Sequence, residues 1–235
     1  MPARGAGLTR RSVLAAAGGL AALLLAEPAR AVDRADGDAP VRIMPLGDSL
    51  TAGTGSTDGA GWRGHLYSRL TELTSVDFVG SVSSGGSFDP EHEGHAGLRV
   101  GQAADAVPGW LRAAEPELVL LQLGTNDLKI AGREVGATDR LARLLDAIAA
   151  GAPDAYLVVG SMIGSPAAPI RERMAAFNAA LPGLVAPLAD RAQLVDLDVL
   201  DRTAHFADNL HPNDPGYAVL ADRWYAAVAP LLSPR

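Results

Sequence analysis

Five short apolar runs alternate with helical patterns from Val41 onward, and this alternation constrains the fold more than any other feature of the chain. The apolar runs cover 41–46, 76–81, 117–123, 155–162 and 193–199. The helical patterns lie at about 62–73, 100–114, 137–150, 170–190 and 214–232. Strands that alternate with helices form a parallel sheet covered by helices on both faces. We therefore predict an α/β fold, a three-layer α/β/α sandwich around a five-stranded parallel sheet, as one domain over 41–235.

Residues 1–31 have the composition of an export signal. The segment carries the pair Arg10-Arg11, an apolar run over 13–26 and an Ala-x-Ala end at 29–31. The run is shorter than the roughly 20 apolar residues that span a bilayer. The pattern predicts a cleavable signal of the twin-arginine type, a secreted protein and no stable membrane anchor after cleavage. An uncleaved anchoring helix is the alternative. Residues 32–40 are polar and predict a linker.

Charge and cysteine content exclude several functions. The chain has a formal net charge of −7 and one lysine, Lys129. Nucleic acids bind surfaces rich in Lys and Arg, so we expect no nucleic-acid partner. The chain has no cysteine, which excludes thiol catalysis, disulfides and thiolate metal sites.

Polar residues follow the first and last predicted strands, where sites of parallel sheets are found. Ser49 follows the first strand within the segment 47–50 (GDSL). It is a candidate nucleophile, although a serine there can also cap a helix or bind phosphate. After the last strand, His211 is a candidate base and Asp208 a candidate partner for its other ring nitrogen. The same segment can start a helix through Asn213 or Asp214.

Two further loops offer polar groups at strand ends. Asn126, in the segment 124–127 (GTND), can donate its amide to an oxyanion or form an ordinary turn. The segment 92–97 (HEGHAG) combines two histidines, a glutamate and two glycines. Its histidine spacing differs from the H-E-x-x-H arrangement of helical zinc sites, so we predict no metal there and expect the side chains to shape the rim of the site.

These four segments, in this order, resemble the four conserved blocks of the SGNH hydrolases, also called the GDSL family. The resemblance implies a flavodoxin-like SGNH hydrolase fold and serine esterase chemistry without a cofactor. It implies a triad of Ser49, Asp208 and His211, with oxyanion donors from the backbone of Ser49 and Gly97 and from the side chain of Asn126. Gly94 is a second candidate for the glycine.

Within that superfamily the segments 41–49, 92–95 and 211–213 are similar to acetylxylan esterases of carbohydrate esterase family 3. This resemblance implies an acylated carbohydrate or small ester as substrate, with acetyl groups on plant polysaccharide such as xylan as the target. Two residues depart from the pattern, Ala96 in place of serine and Leu98 in place of an aromatic residue. The alternatives are a lipase, thioesterase or general short-chain carboxylesterase and, from another class, a non-catalytic glycan-binding domain. The sequence assigns no oligomeric state.

Overall fold

A computed structural model of the chain describes residues 39–86, 89–188 and 190–232. The predicted signal at 1–31 and most of the predicted linker at 32–40 lie outside the described residues. The elements, in chain order, are β1 (Val41–Gly47), α1 (Ser49–Ala52), α2 (Trp62–Leu70), β2 (Val76–Phe78), β3 (Val82–Ser83), β4 (Glu91–Gly94), α3 (Val100–Ala114), β5 (Leu118–Gln122), α4 (Thr125–Leu128), α5 (Ala137–Gly151), β6 (Tyr156–Gly160), α6 (Ala168–Val185), β7 (Ala192–Val195) and α7 (Asp214–Leu232).

The five predicted strands form a parallel sheet in the order β2-β1-β5-β6-β7. The five predicted helices correspond to α2, α3, α5, α6 and α7. The predicted fold class is therefore confirmed. Strand β1 lies inside the sheet and β5 beside it, so the carboxyl ends of two neighbouring interior strands carry the serine and asparagine segments.

Side-chain alternation along the strands builds a core on each face of the sheet. In β1, Met44 and Leu46 enter the cluster formed with α3, α5 and α6, whereas Ile43 enters the cluster formed with α2 and α7. Successive strand residues point to opposite faces, which explains why both clusters draw on the same strands. The result is three layers. None of the helices in the described residues combines the length and the hydrophobicity needed to cross a bilayer.

Two short strands add to the five that the sequence predicts. Strand β4 pairs in parallel with the carboxyl end of β1, beyond the stretch that pairs with β2, and β3 pairs antiparallel with β4. The sequence of β4, Glu91–Gly94, contains no apolar run, so periodicity could not predict it. Its position matters because the chain leaving β4 at Gly94 emerges beside Gly47 and the serine segment.

Candidate active site

Ser49 is the first residue of α1, directly after β1. Asp48 is the N-cap of this helix, since its carboxylate Oδ1 accepts the Leu50 N–H at 3.0 Å. The capping role considered for Ser49 is therefore filled by its neighbour, which leaves the serine hydroxyl for another partner. The backbone of Gly47 packs closely against its neighbours, because a Cβ at this position would lie 2.4 Å from both Gln122 O and Thr51 Oγ1. Only glycine allows β1 to turn this closely into α1.

The Ser49 hydroxyl contacts a histidine from the other end of the chain. Ser49 Oγ lies 2.9 Å from His211 Nε2, and His211 Nδ1 lies 2.8 Å from Asp208 Oδ2. A carboxylate only accepts hydrogen bonds, so Nδ1 carries the ring proton and Nε2 of the neutral ring is left to accept from the serine. The structure thus brings the three residues into one hydrogen-bonded chain with the geometry that proton abstraction from serine requires.

Hydrogen bonds hold Asp208 in its ionised form. Burial acts to raise the pKa of Asp208, but the His211 ring and the backbone N–H groups of His211 and Leu210 donate to the carboxylate and lower the pKa overall. Its Oδ1 accepts from Leu210 N at 2.6 Å and from His211 N at 2.8 Å. The side chain is more than half exposed, at 57%. The triad therefore lies open to solvent at its carboxylate end.

The same segment that places His211 against Ser49 also starts α7. Asn213 Oδ1 accepts the Gly216 N–H at 3.0 Å, as an N-cap does. The Asp214 carboxylate accepts the backbone N–H and the hydroxyl of Thr57, from the loop after α1. That loop packs against the histidine, because a Cβ at Gly55 would lie 2.5 Å from the Pro212 carbonyl and 3.0 Å from His211 Cβ.

Asn126 connects Asp48, the neighbour of Ser49, to Leu98, the neighbour of Gly97. Its Nδ2 donates to Leu98 O at 3.0 Å and to Asp48 Oδ2 at 3.3 Å. The side chain is buried in α4, at the end of β5. Both amide protons are used in this state, so a donation to an oxyanion requires Asn126 to exchange one of them. The longer bond, to Asp48, is the weaker of the two.

The structure distinguishes the two candidate glycines. The Gly94 N–H donates to His92 Nδ1 at 3.0 Å, and Gly94 itself is packed against α1. In the described part of the chain the Gly97 N–H donates to no acceptor, and a Cβ at Gly97 would meet nothing within 4 Å. Gly97 is therefore the glycine whose backbone donor is available to a ligand.

The two histidines of the segment 92–97 have separate partners. His92 is fully buried, and burial together with the positive charge of Arg63 lowers its pKa to about 3. The neutral ring accepts from Gly94 N and faces Ser84 Oγ at 2.8 Å. His95 Nε2 instead contacts Glu93 Oε1. Neighbouring residues of β4 point to opposite faces, so His92 and Glu93 do not converge on one point.

Another acidic group lies at the same edge of the sheet. Asp77, Asp89 and Glu91 have carboxylate oxygens within 4.8 Å of one another, the one such candidate metal-ligand set among 39–86, 89–188 and 190–232. Burial and the charge of Asp77 raise the pKa of Asp89. The group is part exposed, and such carboxylate clusters are common without an ion. The sequence pattern does not indicate this group, because Asp77 lies in β2, whereas Asp89 precedes β4 and Glu91 begins it.

Asp48 is a second carboxylate at the site, and its role is not evident from the sequence alone. It is fully buried beneath the serine, and this burial raises its pKa to about 6. Hydrogen bonds from Leu50 N–H and Thr125, and the nearby charges of His211 and Lys129, lower the pKa but do not offset the effect of burial. Its two oxygens connect α1 to Asn126. The sequence signal for Asp48 is its place between Gly47 and Ser49, and this place indicates only that it belongs to the motif.

Arg63, another residue without a predicted role, ties the loops behind the site together. Its side chain is buried, and its guanidinium donates to five backbone carbonyls, those of Thr51, Ala52, Gly59, Ser84 and Pro90. Burial lowers its pKa to about 10, so the group stays charged at neutral pH. The carbonyls belong to α1 and to two loops, which positions α1 from behind.

Comparison with protein families and solved structures agrees with this geometry. A family model described as the GDSL-like Lipase/Acylhydrolase family matches residues 46–219. A Clostridium thermocellum family 3 carbohydrate esterase superposes with a TM-score of 0.75 at 34% identity, over 83% of this chain and 98% of that one. A family 3 carbohydrate esterase from Talaromyces cellulolyticus gives 0.71 at 28% identity, over 82% and 98%.

Among curated proteins, a multidomain esterase of Ruminococcus flavefaciens is 27% identical over 219 residues, which cover 78% of this chain. The chain spans only 28% and 56% of the lengths of the curated relatives it matches. The similarity to those relatives therefore concerns one part of each of them.

Proposed function

The chain belongs to the GDSL-like lipase/acylhydrolase family of carboxylic ester hydrolases, and we propose that it is a secreted serine esterase that removes acetyl groups from plant polysaccharide such as acetylated xylan. The observation that supports the esterase chemistry most is the 2.9 Å contact between Ser49 Oγ and His211 Nε2, backed by Asp208. A serine, a base and an orienting carboxylate in this arrangement are what acyl transfer requires.

In the proposed mechanism, His211 Nε2 removes the hydroxyl proton as Ser49 Oγ attacks the carbonyl carbon of the ester. The new bond gives a tetrahedral intermediate with a negative oxygen. Collapse of this intermediate breaks the bond to the sugar oxygen, which takes the proton back from His211 and leaves acetyl-Ser49. Water, deprotonated by the same histidine, then releases acetate and regenerates the serine. Asp208 stabilises the imidazolium that forms in each half-reaction.

The oxyanion is stabilised by three donors in this proposal. The backbone N–H of Gly97 and that of Ser49, at the first position of α1, are without acceptors in the described part of the chain. The third donor is the Asn126 amide, which exchanges its 3.3 Å bond to Asp48 for the oxyanion. Removing one such donor typically costs about 10²–10³ in kcat.

Substrate choice rests on similarity. The two most extensive matches reported above are family 3 carbohydrate esterases, and each is covered over 98% of its length. Another solved relative, 28% identical, is an acetyl esterase with acetate. These names support an acetyl group on a carbohydrate as the substrate. We expect Ala96 and Leu98, beside Gly97, to change the contacts with the substrate, because both depart from the family pattern.

The catalytic proposal is tested with Ser49→Ala and His211→Ala. We expect each to abolish acetate release from acetylated xylan and from an activated acetyl ester, with unchanged circular dichroism. Ser68→Ala and His65→Ala, at exposed positions of α2, are the matched controls and should keep wild-type rates. Wild-type activity in either site variant contradicts the proposal.

A series of esters of increasing acyl length tests the substrate. We expect acetyl to be hydrolysed fastest, whereas a lipase prefers long chains and a general esterase shows little preference. Release of acetate from acetylated xylan faster than from simple alkyl acetates supports a carbohydrate target. Binding to acetylated xylan without hydrolysis would instead indicate a glycan-binding domain.

Export is tested on the N-terminus of the protein found outside the cell. Cleavage of the twin-arginine-type signal predicts a first residue near Val32. An intact Met1 on a membrane-bound protein supports the anchoring helix instead.

A further inference from the structure

The Gly97 donor lies in a tight turn whose conformation decides where its N–H points. Leu98 N donates to His95 O at 3.0 Å, which closes a four-residue turn over 95–98. Gly97, its third residue, has φ of +86°, whereas Ala96 keeps a negative φ. These values define a type II turn. The more common type I turn rotates the central peptide, which carries the Gly97 N–H, by about half a turn.

Both ends of this turn are attached to the site. At its start, His95 N donates to Gly47 O at 3.0 Å, which extends the pairing of β4 with β1. At its end, Leu98 O accepts from Asn126 Nδ2 at 3.0 Å. The direction of the Gly97 N–H therefore depends on the contacts that fix His95, the first residue of the turn.

The His95 side chain is held on two sides. Its Nε2 contacts Glu93 Oε1 at 2.5 Å, and its ring stacks on Trp110 of α3 with centroids 4.9 Å apart and planes 18° from parallel. Glu93 is itself fixed, since its side chain is 1% exposed and accepts from Ser81 N at 2.8 Å and from Ser81 Oγ at 2.7 Å. A buried carboxylate with three hydrogen bonds is a rigid anchor.

Resting on the proposed esterase function, we propose that Glu93 and His95 form a positioning pair that holds the 95–98 turn in its type II form and so aims the Gly97 N–H at the oxyanion. His95 does not contact the reacting atoms in this scheme. It acts on kcat through Gly97, since an oxyanion donor is needed in the transition state more than in the substrate complex.

The first test compares His95→Gln with His95→Asn. Both lose the ring on Trp110, but a glutamine amide reaches the place of Nε2 and keeps the bond to Glu93, whereas an asparagine falls short. We expect kcat on an activated acetyl ester to be about tenfold lower for the asparagine variant than for the glutamine variant, with KM within about threefold. His95→Phe keeps the stack and lacks the bond, so it should match the asparagine variant and replaces it if that variant does not fold. Equal kcat in all three variants overturns the proposal.

The second test is a double-mutant cycle with Gly97→Ala. An alanine methyl at 97 meets no neighbour, so this substitution acts through backbone conformation and should lower kcat by about 10²–10³. If His95 acts through this turn, His95→Phe should lower kcat by less than about twofold in the Gly97→Ala background. If the two separate effects on kcat instead multiply in the double variant, His95 supports the fold in another way. That result overturns the proposal.

Controls separate this inference from the proposed function. His65→Phe, at an exposed position of α2, should leave kcat unchanged in both backgrounds. Urea unfolding of every variant shows that the compared proteins are folded. An inactive wild-type protein, or an active Ser49→Ala variant, refutes the esterase mechanism itself, whereas an active wild type with an equally active His95→Phe variant refutes only the positioning pair.

Discussion

The buried carboxylate of Asp48 predicts an unusual dependence of stability on pH. Burial raises the pKa of Asp48 from 3.8 to about 6, and hydrogen bonds from Leu50 and Thr125 offset only part of this effect. A group whose pKa is raised by folding binds its proton more tightly in the native state. Its ionisation therefore destabilises the native protein progressively as the pH rises from about 4 to about 6, and the full penalty persists above that range.

The size of this penalty follows from the two pKa values. At about 1.36 kcal/mol per pH unit, the difference between 3.8 and about 6 corresponds to about 3 kcal/mol. Asp48→Asn removes the penalty because the amide does not ionise. The new NH₂ group faces the donating amide of Asn126, and the lost hydrogen bond costs about 1–3 kcal/mol at every pH. The variant should thus be less stable than the wild type at pH 4 and at least as stable at pH 7.5.

The measurement is urea unfolding of both proteins at several pH values between 4 and 8. The unfolding free energy of the variant minus that of the wild type should rise by about 2.5 kcal/mol between pH 4 and pH 7.5, since a small part of the penalty is already present at pH 4. The constant hydrogen-bond loss cancels from this change. Asp105→Asn, at an exposed side chain, is the control for the amide substitution. A difference that stays within about 1 kcal/mol over the range, or falls with pH, refutes the account of Asp48.

Asp208→Asn should lower kcat by about 10²-fold or more with a small effect on KM, because the His211 ring loses the acceptor that fixes its tautomer; steady-state kinetics check this, and an unchanged kcat contradicts it. Gly55→Ala forces an alanine into φ of +98° and against His211, so it should lower kcat and destabilise the fold by about 1–3 kcal/mol. Gly109→Ala, in α3 with free space around it, is the control and should stabilise by up to about 1 kcal/mol. Arg63→Met should destabilise by about 3 kcal/mol or more in urea unfolding, since five carbonyls lose their donor.

The layered fold could be predicted because the apolar composition of its strands indicates that they are buried. Leu118–Gln122 is buried at every position, and its unbroken apolar run over 118–121 is typical of a central parallel strand. Strand β4 has no such signal. It is held by pairing with β1, which is distant in the sequence, and by hydrogen bonds of the His92 and Glu93 side chains to Ser84 and Ser81.

For the candidate site, the sequence predicts which residues lie close together but not which hydrogen bonds they form. Ser49, Asp208 and His211 were predicted from residue types at strand ends, and the structure brings them together. The choice between Gly94 and Gly97 depends on which backbone N–H already donates a hydrogen bond within the protein, and the local sequence pattern does not indicate this. Arg63 was missed because its partners are backbone carbonyls, which leave no trace in the sequence.

The serine and the histidine that contact each other are 162 residues apart in the chain. A ribosome adds about 5–20 residues per second, so roughly 10–30 s separate the synthesis of the two. In the proposed mechanism Ser49 has no base during that interval, and the nascent polypeptide cannot hydrolyse esters. Esterase activity therefore appears late in biosynthesis, only after the segment before α7 has docked onto the rest of the domain. Its first appearance in a synchronised translation reaction would report the completion of folding.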